Sequence, residues 1–393
     1  MSDIANNSWP RAQTQTQAST IKPGLLLPTL TLIASLLPST FVGGGSIALL
    51  GGVFSALWAL RNRRVGELTW ITAAWGLAIV FTAISGQGDL PLIEVMKAGI
   101  GMGLFFTALV CAPGQIAVLR ATKAPILETI ALVSSLAFFL EFFHILSMKD
   151  LGLVGWFETA AFKARFDLRP SGLYSEPSWL ALSLSALNFA MIDRRHKWTP
   201  VALITSIVSC VLCGSSIGLL LNGLLVSWIL FTRPLPGLPK DRAILARFAL
   251  VCLAICVAFA LAGVMAPAQF DKIIHPTRYG SGVARFVAPL YYLSQAVGER
   301  PIFGLGLSYM TERLFGLTGM AILPLNVTIE TGILGLLLYS LYLTKITVQS
   351  HPRLLGLLAA FICLISLGMQ YSPYQAMLLA LFVSFQDLEK SQA

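Results

Sequence analysis

The sequence predicts an all-α protein, a polytopic integral membrane protein with about twelve transmembrane helices. Of its 393 residues, 56% are hydrophobic and 11% are charged, whereas charged residues make up about 25% of a typical soluble domain. Twelve apolar runs follow one another along the chain, and about 20 apolar residues suffice to cross a bilayer as a helix. A water-soluble globular protein is therefore excluded. The parts of the chain outside the membrane are mainly two long loops.

The apolar runs define the predicted helices in chain order. They lie at about residues 24–42, 44–60, 67–84, 92–111, 124–146, 178–192, 199–213, 216–232, 248–266, 323–344, 354–370 and 374–388. Two or three of them are short enough to be tilted or broken within the bilayer. We therefore predict a polar cytoplasmic tail at 1–22, a single membrane domain at 23–388 and a second cytoplasmic tail at 389–393.

The positive charges predict the orientation of the chain. With the N-terminus on the cytoplasmic side, the inner segments carry 17 of the 27 Lys and Arg residues, the outer loops carry nine, and Lys97 lies in a span. Short cytoplasmic loops are usually rich in Lys and Arg, so both termini are predicted to be cytoplasmic. Topology, and not a nucleic-acid partner, then explains the net charge of +9. The two long loops, 147–177 and 267–322, are extracytoplasmic in this orientation.

The first long loop ends at a helix start that carries a candidate catalytic carboxylate. Glu176 directly precedes Pro177, and proline is favoured in the first turn of a helix. Arg169 adds a fixed positive charge, and Tyr174 is an aromatic residue of the kind found at membrane interfaces, with a ring face of the size of a sugar. Both are candidate substrate-binding residues. A carboxylate at a low-dielectric membrane mouth has its pKa raised towards neutrality, which makes Glu176 our candidate general base. The simplest alternative is that Glu-Pro-Ser only caps a helix.

The second long loop concentrates cations, glycines and tyrosines. Arg285 is its candidate catalytic residue, and its candidate substrate-binding residues are His275, Arg278, Tyr279 and Arg300. Guanidinium groups bind phosphate oxygens through two parallel hydrogen bonds, so this loop indicates an anionic ligand. Anionic lipid headgroups are an alternative partner for Arg285. The stretch 284–297 has apolar residues at helical spacing and is predicted as a helix at the membrane surface.

The span that follows contains a polar pair. Asn326 and Glu330 are four residues apart and share one helix face. An ionisable residue inside a span costs about 2.5–3.5 kcal/mol and usually serves a functional site. The pair is therefore predicted to bind substrate, although a purely structural contact between helices is an equal alternative.

Three segments, in this order, carry a family resemblance. They are Gly172-Leu-Tyr-Ser-Glu-Pro-Ser, then Gly280-Ser-Gly-Val-Ala-Arg285 with Arg300-Pro-Ile-Phe-Gly-Leu-Gly, and then Asn326-Val-Thr-Ile-Glu330-Thr-Gly-Ile-Leu-Gly. Together they resemble the O-antigen polymerase (Wzy type) and O-antigen ligase superfamily of bacterial polysaccharide glycosyltransferases. The resemblance covers residues 165–345, and the remainder matches only as a count of helices. It implies a GT-C-like membrane domain.

The resemblance also implies an activity. It is the transfer of a glycan from undecaprenyl diphosphate to an acceptor glycan hydroxyl, at the periplasmic face of the bacterial cell inner membrane. The implied enzyme is metal-independent and needs no cofactor, and the sequence contains neither an Asp-x-Asp motif nor a phosphate-binding Gly-x-x-x-x-Gly-Lys loop. By the same resemblance Arg285 contacts the diphosphate, with Arg169, Arg278 and Arg300 as further candidates. Membrane lipids, a chain-length-determining protein and a flippase are the implied partners.

One departure from the family pattern favours the polymerase branch. In the ligase branch a His-Asn pair opens the helix that begins near Asn326 here, and this sequence has Leu325 in place of the histidine. We therefore predict a repeat-unit polymerase for an O-antigen, capsule or exopolysaccharide, with a ligase as the nearest enzymatic alternative. A lipid-linked oligosaccharide flippase or transporter also fits the helix number, but the sequence shows no inverted repeat. The general base stays open between Glu176 and His275.

Overall fold

The computed structural model describes residues 24–37, 41–42, 45–87, 90–146, 170–174, 176–232, 288–309, 323–366 and 371–385. Within these ranges the chain forms twelve helices and one two-residue hairpin. The elements are α1 (Leu26–Ser35), β1 (Phe41–Val42), β2 (Gly45–Ser46), α2 (Ala48–Arg61), α3 (Val65–Ser85), α4 (Leu92–Ala121), α5 (Ile126–Phe142), α6 (Pro177–Met191), α7 (Thr199–Leu212), α8 (Ser216–Thr232), α9 (Ala288–Glu299), α10 (Leu323–Ser350), α11 (Leu354–Ser366) and α12 (Pro373–Val383). β1 and β2 pair antiparallel, with Phe41 opposite Ser46 and Val42 opposite Gly45.

Three described helices, α3, α4 and α10, are long and apolar enough to cross a membrane. The other apolar helices in this part of the chain have 10–17 residues. Eleven of the twelve predicted apolar runs contain a helix, and the run at 248–266 lies outside the described residues. The twelfth helix is α9, which confirms the helix predicted at 284–297. Apart from the two-residue hairpin, the part of the chain that the structure describes is thus helical, with the composition of a membrane protein.

Three helices form the centre of the bundle. α4 packs against α2, α3 and α12, and α12 also packs against α6 and α11. Every residue of α12 from Pro373 to Val383 is buried, and thirteen of the fifteen residues of α6 are buried. The core between them contains aromatic residues, among them Phe105, Phe189 and Phe382, which are fully buried. Side chains on all sides of α12 therefore contact protein rather than lipid.

Helix α4 runs beyond the predicted end of its span. The apolar run ends at residue 111, yet the helix continues through Pro113 to Ala121. Proline removes one helical hydrogen bond, so other contacts must hold this segment. Gln115 supplies two of them, because Ser55 Oγ donates to its Oε1 at 3.3 Å and its Nε2 donates to Thr31 Oγ1 at 3.2 Å. These bonds tie α4 to α2 and α1.

The bundle has two chemically different ends. The basic end is formed by the α2–α3, α4–α5, α6–α7 and α10–α11 connections, and ten of the twelve described Lys and Arg residues lie there. The motif end is formed by the α3–α4, α5–α6, α7–α8 and α11–α12 connections together with residues 300–309. Lys97 and Arg300 are the two described cations at the motif end. This separation follows the predicted alternation of inner and outer connections.

Candidate functional site

Glu176 lies at the mouth of α6, at the motif end. It is the residue before the first helical position, its backbone is extended, and Pro177 begins the helix as predicted. Ser178 Oγ donates a hydrogen bond to Glu176 Oε2 at 2.9 Å. The carboxylate is half-buried, and the N-terminal end of a helix stabilises negative charge. Glu176 is thus held in one orientation at the edge of the bundle.

A second carboxylate anchors the loop that leads to Glu176. Glu141 Oε2, on α5, accepts hydrogen bonds from the backbone N–H groups of Ser171 at 2.8 Å and Gly172 at 2.5 Å. Gly172 has φ +58°, and a Cβ atom at this position would lie 2.8 Å from the backbone nitrogen of Phe138. The glycine is required because the loop passes directly over the backbone of α5.

Tyr174 is buried beneath this loop. Its side chain is 1% exposed, and its hydroxyl is hydrogen-bonded with Ser183 and Ser134. Burial raises the pKa of Tyr174, and these two hydrogen bonds partly oppose that shift. The structure therefore gives Tyr174 a packing contact under the loop, and its predicted contact with a glycan stays a prediction.

A tyrosine on α12 connects this region to the centre of the bundle. The Tyr374 hydroxyl donates to the carbonyl of Trp179 at 3.0 Å and lies 3.0 Å from Ser183 Oγ. The Glu176 carboxylate lies within electrostatic reach of the same hydroxyl. α6 and α12 both begin with proline at this end of the bundle, so their N-termini point the same way. Ser372 caps α12 by accepting the Tyr374 N–H at 3.3 Å.

The last predicted motif lies on a helix that is broken, not continuous. α10 is interrupted at Gly332, which has φ 68° and ψ −164°. Residues with side chains avoid this conformation, and a Cβ atom here would lie 2.3 Å from the carbonyl oxygen of Ile302. The break leaves backbone groups of α10 without helical partners.

Residues 301–306 supply the missing partners. Four hydrogen bonds join the two segments: Leu305 N–H to Ile329 C=O (2.8 Å), Gly306 N–H to Glu330 C=O (3.0 Å), Ile333 N–H to Pro301 C=O (3.0 Å) and Leu334 N–H to Ile302 C=O (3.3 Å). Gly304, with φ +70°, permits the close approach, because a Cβ there would lie 2.5 Å from the carbonyl carbon of Glu330. Irregular backbone within a membrane protein is tolerated only where protein or a water-filled cavity satisfies it.

Asn326 and Glu330 lie on the part of α10 before the break. Both are buried, at 2% and 1% exposure. Burial raises the pKa of the Tyr371 hydroxyl, and the charge of Glu330 raises it further. Tyr371 also packs against Phe105 at a centroid distance of 6.2 Å. The connection at Tyr371–Tyr374 therefore has the Glu176 region at one of its ends and the Glu330 region at the other.

Arg300 lies at the C-terminal end of α9 and is exposed. Its carbonyl accepts the N–H of Gly304 at 2.8 Å, which fixes its backbone next to residues 301–306, the inserted segment that pairs with the broken part of α10. No ion pair joins its guanidinium to another residue of the described ranges. The remaining predicted residues, Arg169, His275, Arg278, Tyr279 and Arg285, lie outside the described residues.

The predicted site residues therefore fall into two groups that share one end of the bundle. Glu176 and Tyr174 belong to the α6 group, and Asn326, Glu330 and Arg300 belong to the α10 group. Sequence reasoning missed the residues that link the groups, Tyr371 and Tyr374. A signal was present, because Tyr-Ser-Pro at 371–373 closely repeats Tyr-Ser-Glu-Pro at 174–177.

The arrangement places carboxylates, tyrosine hydroxyls and helix N-termini at one end of the bundle. A half-buried carboxylate at a helix mouth can accept a proton from a hydroxyl group, and helix N-termini favour an anion. Among the described residues no group of three or more His, Cys, Asp and Glu side chains is placed to hold a metal ion.

Residues 115–385 match the family model described as WcaD colanic acid polymerase. The matched region is more than two thirds of the 393 residues and includes every predicted site residue. No curated protein matches the chain, and no solved structure matches it.

Proposed function

We propose a reaction for this chain on the premise that it belongs to the WcaD colanic acid polymerase family. This membership confirms the predicted resemblance to Wzy-type polysaccharide polymerases. The chain is accordingly a glycosyltransferase-type membrane enzyme of polysaccharide biosynthesis. In our proposal it joins oligosaccharide repeat units, with undecaprenyl diphosphate as the donor carrier and a hydroxyl of a second glycan as the acceptor.

The observation that supports this proposal best is the environment of Glu176. The carboxylate stands at the start of α6 and is oriented by a hydrogen bond from Ser178. A general base must be fixed in reach of the hydroxyl that it deprotonates. The Glu141 contacts hold the loop before it in place, so the base is positioned before substrate binds.

The proposed step is a glycosyl transfer. Glu176 accepts the proton of the acceptor hydroxyl, the hydroxyl oxygen forms a bond to the anomeric carbon, and the bond from that carbon to the diphosphate oxygen breaks. The electron pair of the broken bond leaves with undecaprenyl diphosphate. Arg285 stabilises this leaving charge in our proposal, with Arg169, Arg278 and Arg300 in support, because guanidinium groups pair bidentately with phosphate oxygens.

The other predicted residues are proposed to bind the glycans. His275, Tyr279 and Tyr174 contact sugar hydroxyls or faces in this proposal, while Asn326 and Glu330 fix the wall of the site on α10. The buried Asn326–Glu330 segment is suited to this role because the inserted residues 301–306 hold its backbone. The reaction uses no metal ion or cofactor in this proposal.

We also propose where the reaction takes place. The basic end carries ten of the twelve described cations, which is typical of a cytoplasmic surface. The motif end is then periplasmic, both termini are cytoplasmic, and the protein is a twelve-span, GT-C-like domain of the bacterial inner membrane. A flippase supplies the lipid-linked repeat units, and a chain-length-determining protein limits the product.

Replacement of Glu176 by Gln in the native host tests the proposal. Loss of a general base costs about 10²- to 10⁴-fold in rate, so the surface glycan should carry at most one repeat unit on a gel. Arg285→Ala should give the same pattern. Glu67→Gln is the matched control, because Glu67 lies at the basic end in a partly exposed pair with Arg64 at 3.6 Å, and it should leave long chains intact.

Long glycan chains in both the Glu176 and Arg285 variants would refute the mechanism. A flippase would give another result, the accumulation of lipid-linked repeat units on the cytoplasmic leaflet. A ligase variant would retain polymer on the lipid carrier without attachment to an acceptor core. Gel analysis combined with a leaflet-sidedness assay therefore separates the three functions.

A further inference from the structure

A cavity opens at the basic end, opposite the motif end. Its volume is about 740 Å³, within the range of small-molecule sites. It is lined by Pro113, Ala117, Arg120, Ala121, Thr122, Lys123, Asp193, Arg194, Arg195, His196, Ser350 and Ser384. None of these residues belongs to the proposed active site.

Arg194 uses its whole guanidinium group within the protein. Its Nε donates to Glu128 Oε1 at 2.8 Å. Its Nη1 and Nη2 atoms donate to the carbonyls of Leu119 (2.7 Å), Arg120 (2.9 Å), Thr122 (3.3 Å) and Ala124 (2.9 Å). Arg194 thereby pairs with the carboxylate of Glu128 and satisfies the free carbonyls at the end of α4, which would otherwise repel an anion.

The other described carboxylate at the cavity is also paired. Asp193 Oδ2 lies 3.6 Å from Arg353 Nη1. Arg353 is held in turn by its position over the Phe385 ring, at 4.7 Å from the centroid, and by the backbone bond from its N–H to the Phe385 carbonyl at 2.7 Å. Asp193 therefore offsets the charge of Arg353, which lies beside the cavity lining.

Three positive charges remain without a matching carboxylate in the described part of the cavity. The region has five cations, Arg120, Lys123, Arg194, Arg195 and Arg353, against two carboxylates, Glu128 and Asp193. Arg120 donates through Nη1 to the carbonyl of Ser384, whereas its buried Nε has no hydrogen-bond partner in the described ranges. Lys123 and Arg195 are exposed. Arg120 is thus fixed at the wall with a free N–H donor, and two exposed cations, Lys123 and Arg195, line the same cavity.

We propose that this cavity binds a phosphate-bearing anion through Arg120, Lys123 and Arg195. Basic pockets between transmembrane helices on the cytoplasmic side bind anionic lipid headgroups, and a soluble phosphate compound presents the same chemistry. The Arg194 contacts fix the backbone at Leu119–Ala124, so the site is formed before the anion arrives. The site is independent of the proposed reaction, because its residues lie at the other end of the bundle.

Equilibrium binding to the purified full-length protein in detergent tests this site. The probes are fluorescent phosphatidylglycerol, with phosphatidylcholine as the zwitterionic reference, and inorganic phosphate as the soluble source. The main variant is Lys123→Gln/Arg195→Gln, since both side chains are exposed and their loss should leave the fold intact. Each cation near an anionic headgroup is worth about fivefold in affinity, so the pair should weaken binding by roughly 30-fold.

A control variant with the same loss of charge distinguishes binding in the cavity from attraction to the general positive charge of the surface. Arg61→Gln/Arg63→Gln removes two exposed cations at the basic end that do not line the cavity, and it should leave affinity within about twofold. Arg120→Gln gives a second measurement inside the cavity and should weaken binding by about fivefold. Thermal unfolding of each variant verifies that it is folded.

The results distinguish a lipid headgroup from a soluble phosphate compound as the ligand, and two of them would contradict the proposal. Loss of phosphatidylglycerol binding in the cavity variants alone identifies a lipid headgroup, and the same pattern for inorganic phosphate alone identifies a soluble ligand. Equal losses in cavity and control variants, or no binding of either probe to the wild type, would overturn it.

Discussion

The two ends of the bundle use charge in opposite ways. At the basic end, buried side chains pair with each other, as in the contact of Glu128 with Arg194 at 2.8 Å, where both side chains are at most 6% exposed. At the motif end, the described carboxylates of Glu141 and Glu176 contact backbone N–H groups or a serine hydroxyl. The basic end thus has a buried ion pair within the fold, whereas these two carboxylates of the motif end are held by backbone and hydroxyl groups.

The backbone shows the same difference. All five described glycines with positive φ, Gly172, Gly214, Gly304, Gly306 and Gly332, lie at the motif end. Unusual backbone conformations concentrate at functional sites, where the surrounding structure compensates for their cost. The comparison teaches that a buried ion pair joins helices at the basic end, while the glycine-dependent turns lie at the motif end, where we propose the active site. Three substitutions test this difference between the basic end and the motif end.

The largest loss of stability should come from Glu128→Ala at the basic end. It would leave Arg194 buried without its partner and remove the acceptor of Thr199 Oγ1, which donates at 2.8 Å. Breaking a buried ion pair costs about 3–5 kcal/mol, measurable as a lower Tm of the purified protein. Glu67→Ala, in the partly exposed pair with Arg64 at the same end, should cost less than about 1 kcal/mol. Equal effects of the two variants would contradict the contrast.

The next effect should come from Gly332→Ala at the motif end. An alanine at φ 68° and ψ −164° is strained by roughly 1–3 kcal/mol, and its Cβ would displace the Ile302 carbonyl. Polymer synthesis should fall more than stability does, because the inserted segment 301–306 would shift. Gly76→Ala is the control, since nothing lies within 4 Å of a Cβ there, and it should leave both quantities unchanged or slightly improved. Unchanged polymer length in Gly332→Ala would show that the inserted segment has no part in the site.

The smallest effect on stability should come from Glu141→Gln. The amide keeps an acceptor for Ser171 and Gly172 but loses the charge, which costs about 1 kcal/mol. The loop that carries Glu176 would become less fixed, so the glycan chains should shorten while the protein stays folded. Glu94→Gln is the comparison at the same end, because Glu94 pairs with Lys97 on the surface at 2.6 Å. Full-length glycan in Glu141→Gln would mean that this loop does not position Glu176.

Most of the helices could be predicted from the sequence, because hydropathy alone selects spans. The amphipathic spacing at 284–297 also predicted α9 correctly, and Tyr292, Leu293 and Ala296 pack with the core residues Leu305 and Ile329. The continuation of α4 through Pro113 could not be predicted, because the polar contacts that hold it come from Ser55 and Thr31 on other helices.

The candidate site could be predicted only where the sequence signal is local. Glu176 before Pro177 is such a signal, and the helix start was placed within one residue. The break at Gly332 is not local, because its hydrogen-bond partners lie near residue 302 and glycine is common in continuous transmembrane helices. The contacts of Tyr371 and Tyr374 depend on which helices surround α12. Hydrophobic periodicity does not indicate which helices are neighbours, so these contacts could not be predicted.

The burial of α12 has a consequence for how the protein is made. This helix follows the other eleven described helices in the sequence, yet it is packed against α4 and α6 on all sides. Because a chain is synthesised from its N-terminus, the contacts that bury α12 can form only after the earlier helices have been synthesised. A ribosome that stalls before residue 373 would therefore leave an assembly intermediate whose interior faces lipid, a natural substrate for membrane quality control.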